Sequence, residues 1–75
     1  SSIATAESRV RQAEADKAAA AALTVQREAE LDAARRHLAR SQKLAPRGVL
    51  PEQTYDDDRA RVRGGEAAVS AARAQ

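Results

Sequence analysis

Residues 45–51 read Ala-Pro-Arg-Gly-Val-Leu-Pro and decide the fold, because they hold both prolines and one of the three glycines of the 75-residue chain. Pro46 disfavours a helical conformation at the residue before it, and Gly48 can take a positive φ at little cost. Pro51 suits the first position of a new helix, where its missing N–H is not needed. The stretch therefore predicts a turn at about residues 46–50 between two helices.

The sequence before this turn favours one long helix, at about residues 2–45. It contains no Gly or Pro and is rich in Ala, Arg, Glu, Gln and Leu, which are strong helix formers. A heptad seam runs along it, with large or small apolar residues at most positions and polar residues at a few. The seam consists of Ile3, Val10, Lys17, Thr24, Leu31, Leu38 and Ala45, with Ala6, Ala13, Ala20, Arg27, Ala34 and Ser41 three positions later. Such spacing is typical of a coiled coil.

The sequence after the turn predicts a second, shorter helix at about residues 51–74. Its own seam is Tyr55, Val62 and Val69, with Asp58, Gly65 and Ala72 three positions later. If the second helix folds back on the first, one register aligns the large residues at positions whose numbers add up to 100. The pairs are Ala45 with Tyr55, Leu38 with Val62, and Leu31 with Val69. We therefore predict an all-α fold, an antiparallel two-helix coiled-coil hairpin.

The same register leaves residues 1–24 without a partner, because Gln75 lies opposite residue 25. This arm would be ~36 Å long at the usual helical rise. Either the chain continues beyond residue 75, or the arm pairs with another molecule. We expect the segment, which begins with Ser, to be a processed product or a fragment of a larger protein, and to self-associate in isolation.

Composition argues against an enzyme. Of the 32 hydrophobic residues 20 are Ala, so no deep core or pocket can form, and the chain has no Cys and one His. The acidic run 56–58 does not have the spacing of a metal site, because consecutive helical residues point about 100° apart. We expect no cofactor and no metal. The net charge of only +2, with interleaved signs and one aromatic residue, gives little support for nucleic-acid binding.

Residues 38–56, which read L-A-R-S-Q-K-L-A-P-R-G-V-L-P-E-Q-T-Y-D, resemble the hairpin tip of periplasmic adaptor subunits, the membrane fusion proteins of the HlyD type. In that family an Arg, a Leu four residues later and a Ser seven residues beyond the Leu are associated with docking onto a TolC-like outer-membrane channel. The spacing selects Arg40, Leu44 and Pro51, so Pro stands where the family commonly has Ser. Gly48 also follows the family's pattern.

The resemblance implies a coiled-coil hairpin in a tripartite efflux or type I secretion system. Its expected partners are a TolC-like channel at the tip, neighbouring adaptor subunits, and an inner-membrane transporter reached through regions outside this segment. The resemblance also implies a periplasmic location, with lipoyl-like and β-barrel parts that flank the hairpin and tether it to the inner membrane. The alternative is a structural coiled coil that dimerises through residues 1–24 and has no channel partner.

Several residues near the turn have two interpretations. Arg40 can be a docking residue, or a cation at a helix end that the acidic run 56–58 neutralises, together with Lys43, across the hairpin. Leu44 can face outward as an anchor, or fold back against Val49 or Leu50. Further along, the Gly64-Gly65 pair either permits close helix packing or is a flexible point.

Overall fold

The computed structural model describes all 75 residues as a hairpin of two helices. Helix α1 (Ser2–Leu44) is followed by a 3-10 turn (Ala45–Arg47), and helix α2 (Glu52–Arg73) runs back along α1. The molecule is a rod with extents of 70 × 13 × 12 Å. The predicted fold class, an all-α antiparallel hairpin with a long first helix and a shorter second one, is confirmed.

Helix α1 begins at a capped end. The Ser1 side-chain oxygen accepts a hydrogen bond from the Ala4 backbone N–H at 3.2 Å, and the Ser1 carbonyl accepts one from the Thr5 N–H at 3.0 Å. These bonds satisfy backbone donors that the first turn of a helix leaves without a partner.

The end of α1 differs in detail from the prediction. Ala45 keeps right-handed helical angles (φ −59°, ψ −45°), although Pro46 was expected to disfavour them. The chain accommodates Pro46 by tightening into a 3-10 turn, in which proline takes an early position that needs no N–H donor. The helix therefore ends through a short tightened turn and not by an abrupt change at Ala45.

The buried residues all belong to the two predicted seams. They are Leu31, Ala34 and Ser41 on α1 and Val69 and Ala72 on α2. Only five residues are buried, because two helices packed side by side leave most of each helix in water. The hydroxyl of Ser41, which is 2% exposed, donates to the Leu38 carbonyl at 3.2 Å, so that its burial leaves no unpaired polar atom.

Two ion pairs on one edge of the hairpin show which residues of α1 and α2 lie opposite each other. Arg73 lies 3.1 Å from Glu28, and Arg35 lies 3.8 Å from Glu66. The residue numbers in each pair add up to 101, one more than the predicted seam value of 100. Leu31 and Val69, a predicted seam pair, line the same surface groove as these four charges. The observed register agrees with the predicted one to within one residue.

The amino-terminal arm is only partly as predicted. Residues 1–19 are exposed, and Ile3 and Val10 keep 70% and 55% of their surface in water. Contact with α2 nevertheless reaches further than expected, since Ala20 and Thr24 are partly buried and line a groove with Ala72. In a coiled coil each seam residue sits among residues from neighbouring turns of the opposite helix. The unpaired arm is therefore shorter than residues 1–24.

The polar residues of the α1 seam bond within their own helix. The Thr24 hydroxyl donates to the Ala20 carbonyl at 3.1 Å, and Arg27 pairs with Glu30 at 2.9 Å. Lys17, further from the turn, is exposed. These residues interrupt the apolar seam without forming a polar contact across the hairpin.

Candidate functional site: the hairpin tip

The connection between the helices is shaped by Gly48. This residue has φ +73°, the left-handed conformation that favours glycine, and it is the only residue in the chain with a positive φ. Its N–H donates to the Ala45 carbonyl at 3.1 Å, and the Val49 N–H donates to the Leu44 carbonyl at 3.3 Å. These bonds close the carboxyl end of α1 and turn the chain back toward α2, as the sequence predicted for Gly48.

Pro51 lies immediately before α2, whereas the sequence predicted it at the first position inside the helix. Its angles (φ −60°, ψ 144°) are extended, so it occupies the N-cap position and the helix proper begins at Glu52. The Pro51 carbonyl accepts a hydrogen bond from the Thr54 N–H at 3.1 Å, but the proline has no side-chain oxygen to accept another. The first turn of α2 therefore keeps a backbone donor that a Ser at this position could have capped.

Arg40 lies on the exposed surface of α1 near the tip. Its Nη2 lies 3.1 Å from the Nδ1 of His37, one turn earlier, and none of the four ion pairs in the structure includes Arg40. The expectation that the acidic run 56–58 neutralises Arg40 and Lys43 across the hairpin is wrong. Both cations lie off the seam, and neither forms an ion pair with a residue of the run. The guanidinium remains without an acidic partner.

Leu44 is partly buried, which lies between the two positions predicted for it, facing outward or folded back against Val49 or Leu50. It lies next to the seam residue Ala45, and its own carbonyl anchors Val49 through the backbone hydrogen bond. Leu50 is also partly buried, whereas Val49 keeps 63% of its surface exposed. Sequence reasoning therefore overlooked Val49 as the more exposed apolar side chain of the tip. The sequence signal for this exposure was the position of the valine between Gly48 and Pro51, where no helix can form.

A shallow groove lies beside the tip, on the edge where α1 ends and α2 begins. Its lining residues are Gln42, Ala45, Pro46, Glu52 and Tyr55. The ring of Tyr55 is partly buried, and the Arg59 guanidinium lies 5.7 Å from its centre, within cation–π range. The groove adds a polar and aromatic edge to the exposed apolar surface of the tip.

The four predicted site residues lie at one end of the rod. Arg40 and Leu44 are one helical turn apart on α1, and Gly48 and Pro51 form the connection that follows. No group of three or more acidic or histidine side chains is close enough to hold a metal ion. The arrangement has the chemistry of a contact surface, with one guanidinium that has no acidic partner, two apolar side chains and a fixed turn.

Comparison with known proteins decides the family. Residues 16–75 match the family described as the α-helical hairpin domain of RND membrane fusion proteins (MFP). The chain belongs to this family. Searches of curated proteins and of solved structures gave no significant match.

The hairpin is therefore part of a periplasmic adaptor family. The role of this family is structural, and the family is not known for enzymatic activity. Adaptors of this family work between an inner-membrane transporter and an outer-membrane channel in tripartite systems. Neither helix of this chain is both long and apolar enough to cross a membrane. The match begins at residue 16, so the first part of the exposed arm lies outside it.

Proposed function

We propose that the hairpin tip docks onto a TolC-like outer-membrane channel, in an adaptor of the HlyD type that serves efflux or type I secretion. The observation that carries the proposal is the guanidinium of Arg40, which has no acidic partner, near the end of a 70 Å rod that also carries Leu44 and the exposed Val49. A stiff rod that carries such groups at its tip is suited to contact a partner there.

The chemistry of this docking follows from the side chains. The planar guanidinium of Arg40 would donate to a carboxylate or to backbone carbonyls at the ends of the channel's helices. Val49 and Leu44 would pack into an apolar groove between those helices. Gly48 and Pro51 fix the turn, and Pro51 in place of the family's Ser removes one hydroxyl donor. We therefore expect partner choice to differ from that of adaptors with Ser at this position.

The proposed assembly holds several copies of the hairpin. Each tip presents few contact groups, so one hairpin would bind weakly, and avidity from several tips would stabilise the complex. We propose that neighbouring adaptor subunits bring these tips together and that an inner-membrane transporter contacts parts of a longer protein outside this segment. Those parts would also tether the adaptor to the inner membrane, with this hairpin in the periplasm.

The test is an export assay in cells that produce the full-length adaptor containing this hairpin. Arg40→Asp should abolish export, because it places a carboxylate where the channel is expected to present acceptors. Arg36→Asp is the control, since Arg36 is also exposed, lies one turn further from the tip and pairs with Asp32 on its own helix. Normal export with Arg40→Asp, at unchanged helicity and adaptor level, would contradict docking through this residue.

A second candidate function is pairing of two molecules through the arm, favoured by the exposure of Ile3 and Val10 along one groove with Ala6. This function requires a concentration-dependent dimer that the substitution Val10→Asp dissociates, and it requires export to be insensitive to changes at the tip. Loss of export with Arg40→Asp but not with Val10→Asp would exclude it as the main role of the hairpin.

A further inference from the structure

His37 is the one histidine of the chain, and it contacts the residue proposed to dock. Its Nδ1 lies 3.1 Å from the Nη2 of Arg40, which follows one turn nearer the tip on the same helix. Both side chains are exposed, so solvent protons reach the imidazole freely. None of the four ion pairs includes either residue, so each side chain is bonded to the other and to no charged group of opposite sign.

The contact requires one protonation state of the imidazole. A guanidinium has only donors, so the Nδ1 of His37 must accept the hydrogen bond and carries no proton. The neutral ring then holds its one proton on Nε2. A second proton would occupy Nδ1, remove the acceptor and place a positive charge beside the guanidinium of Arg40. The bond between the two side chains therefore exists only with a neutral imidazole.

The cations around His37 belong to both helices. His37 directly precedes the seam residue Leu38, and Arg61 of α2 directly precedes the seam residue Val62. The residues of the two ion pairs between the helices each follow a seam residue instead, so His37 and Arg61 share the opposite edge of the hairpin. Arg36, the neighbour of His37 on α1, has its own acidic partner. A proton on His37 would thus add to an edge that is already positive.

One carboxylate, that of Asp58, lies at the seam near the same height. Leu31 packs against Gly65, and one heptad nearer the tip the same seam brings Leu38 next to Asp58. Asp58 is partly buried and forms no ion pair, with His37 or with any other residue. A change of charge on the imidazole therefore acts first on its bonded neighbour, the arginine one turn nearer the tip.

We infer that His37 is a positioning residue for Arg40 and makes docking of the tip sensitive to pH. The neutral imidazole accepts one N–H of the guanidinium and holds it in one orientation, and the other donors remain available for acceptors of the channel. Protonation breaks this bond and releases the guanidinium, so docking must then order a mobile side chain. The inference rests on the proposed docking through Arg40, and it predicts tighter docking at higher pH.

Photo-crosslinking to the channel at two pH values tests this inference in the full-length adaptor in cells, with the photoreactive residue at position 49. We expect the yield to fall about 3-fold between pH 8 and pH 5, the range in which histidine side chains change charge. This fold-change corresponds to about 0.7 kcal/mol, a value within the range for one hydrogen bond. In His37→Asn the yield should stay high at both pH values, because the amide oxygen can replace Nδ1 as acceptor and does not titrate.

His37→Leu is the matched control, because it removes the acceptor without adding a charge. Its cross-linking yield should be low at both pH values, and circular dichroism checks that its helicity is unchanged. Other groups of the adaptor and the channel titrate equally in all three proteins, so only the differences between them count. The inference is overturned if wild type and His37→Asn show the same pH dependence, or if His37→Leu cross-links as strongly as wild type at pH 8.

A second measurement tests the contact without the channel. Long-range 1H–15N correlation NMR of the 75-residue chain at pH 8 observes the ring nitrogens of His37 alone, since there is no other histidine. We expect Nδ1 to be the nitrogen without a proton, and its 15N shift to change in Arg40→Leu but not in Arg36→Leu, which removes a side chain paired with Asp32. A proton on Nδ1, or an unchanged shift in Arg40→Leu, would overturn the inference.

The two proposals fail in different ways. Normal export with Arg40→Asp would reject docking through Arg40, and the positioning role with it, even where NMR finds the bond to His37. Loss of export with Arg40→Asp, together with an unchanged Nδ1 shift in Arg40→Leu, would keep docking through Arg40 and reject the role of His37.

Discussion

Gly65 of α2 packs directly against Leu31 of α1. A Cβ atom added at Gly65 would stand 3.1 Å from the Leu31 Cδ1 and 3.5 Å from its Cα, whereas a Cβ at the neighbouring Gly64 would meet nothing within 4 Å. Leu31 is 7% exposed, so its side chain has little free space into which it can move. Of the two interpretations of the glycine pair, close packing is therefore correct for Gly65.

This contact predicts different effects of alanine at the two glycines. Gly64→Ala should raise the free energy of unfolding by up to about 1 kcal/mol, the usual gain of alanine over glycine inside a helix. Gly65→Ala should gain clearly less, because Leu31 must shift by a few tenths of an ångström to admit the new methyl group. Thermal unfolding followed by circular dichroism compares the two. Equal gains would contradict the close approach.

The buried seam predicts a large effect for Leu31→Ala. This substitution removes a buried side chain and should lower the free energy of unfolding by about 2 kcal/mol, at the low end of the range for Leu→Ala because one side of the rod is open to water. Val25, which is 67% exposed on the same helix, provides the control, and Val25→Ala should change the value by less than about 0.5 kcal/mol. Similar changes in the free energy of unfolding for the two substitutions would contradict the burial of Leu31 in the core.

The ion pair between Glu28 and Arg73 predicts a small, salt-dependent coupling. Both side chains are about half exposed or more, at 47% and 66%, and exposed pairs are typically worth about 0.2–1 kcal/mol. A double-mutant cycle with Glu28→Gln and Arg73→Gln should give a coupling energy in this range that disappears in 1 M salt. A coupling energy that persists in 1 M salt would contradict the interpretation of the pair as an exposed ion pair.

The left-handed conformation of Gly48 predicts a specific order of substitutions. Gly48→Ala should lower the free energy of unfolding by about 1 kcal/mol, because a Cβ disfavours a positive φ. Gly48→Asn should cost less, since asparagine tolerates this region better than alanine. The space around Gly48 is open, so a clash would not confuse the comparison. Urea unfolding of the two variants measures the order, and an equal or reversed order would contradict it.

The hairpin could be predicted from sequence because its signals are local. Two prolines and Gly48 mark the turn, and the spacing of Leu31, Leu38 and Val69 sets the register to within one residue. Details that depend on side-chain placement could not be predicted. The spacing of Arg40 and the acidic run 56–58 allowed a neutralising contact, yet no ion pair joins them in the structure. The greater exposure of Val49 likewise depends on how the turn packs, which heptad spacing does not describe.

The most direct test of the account is site-specific photo-crosslinking at the tip of the full-length adaptor in cells. A photoreactive residue at position 44 or 49 should link to the outer-membrane channel, while the same residue at exposed position 25, about thirty ångströms from the tip at 1.5 Å per residue, should not. Helicity and export measured for each variant confirm that the adaptor remains functional. Equal channel cross-linking at positions 25 and 44, or none at the tip in a functional adaptor, would contradict tip docking.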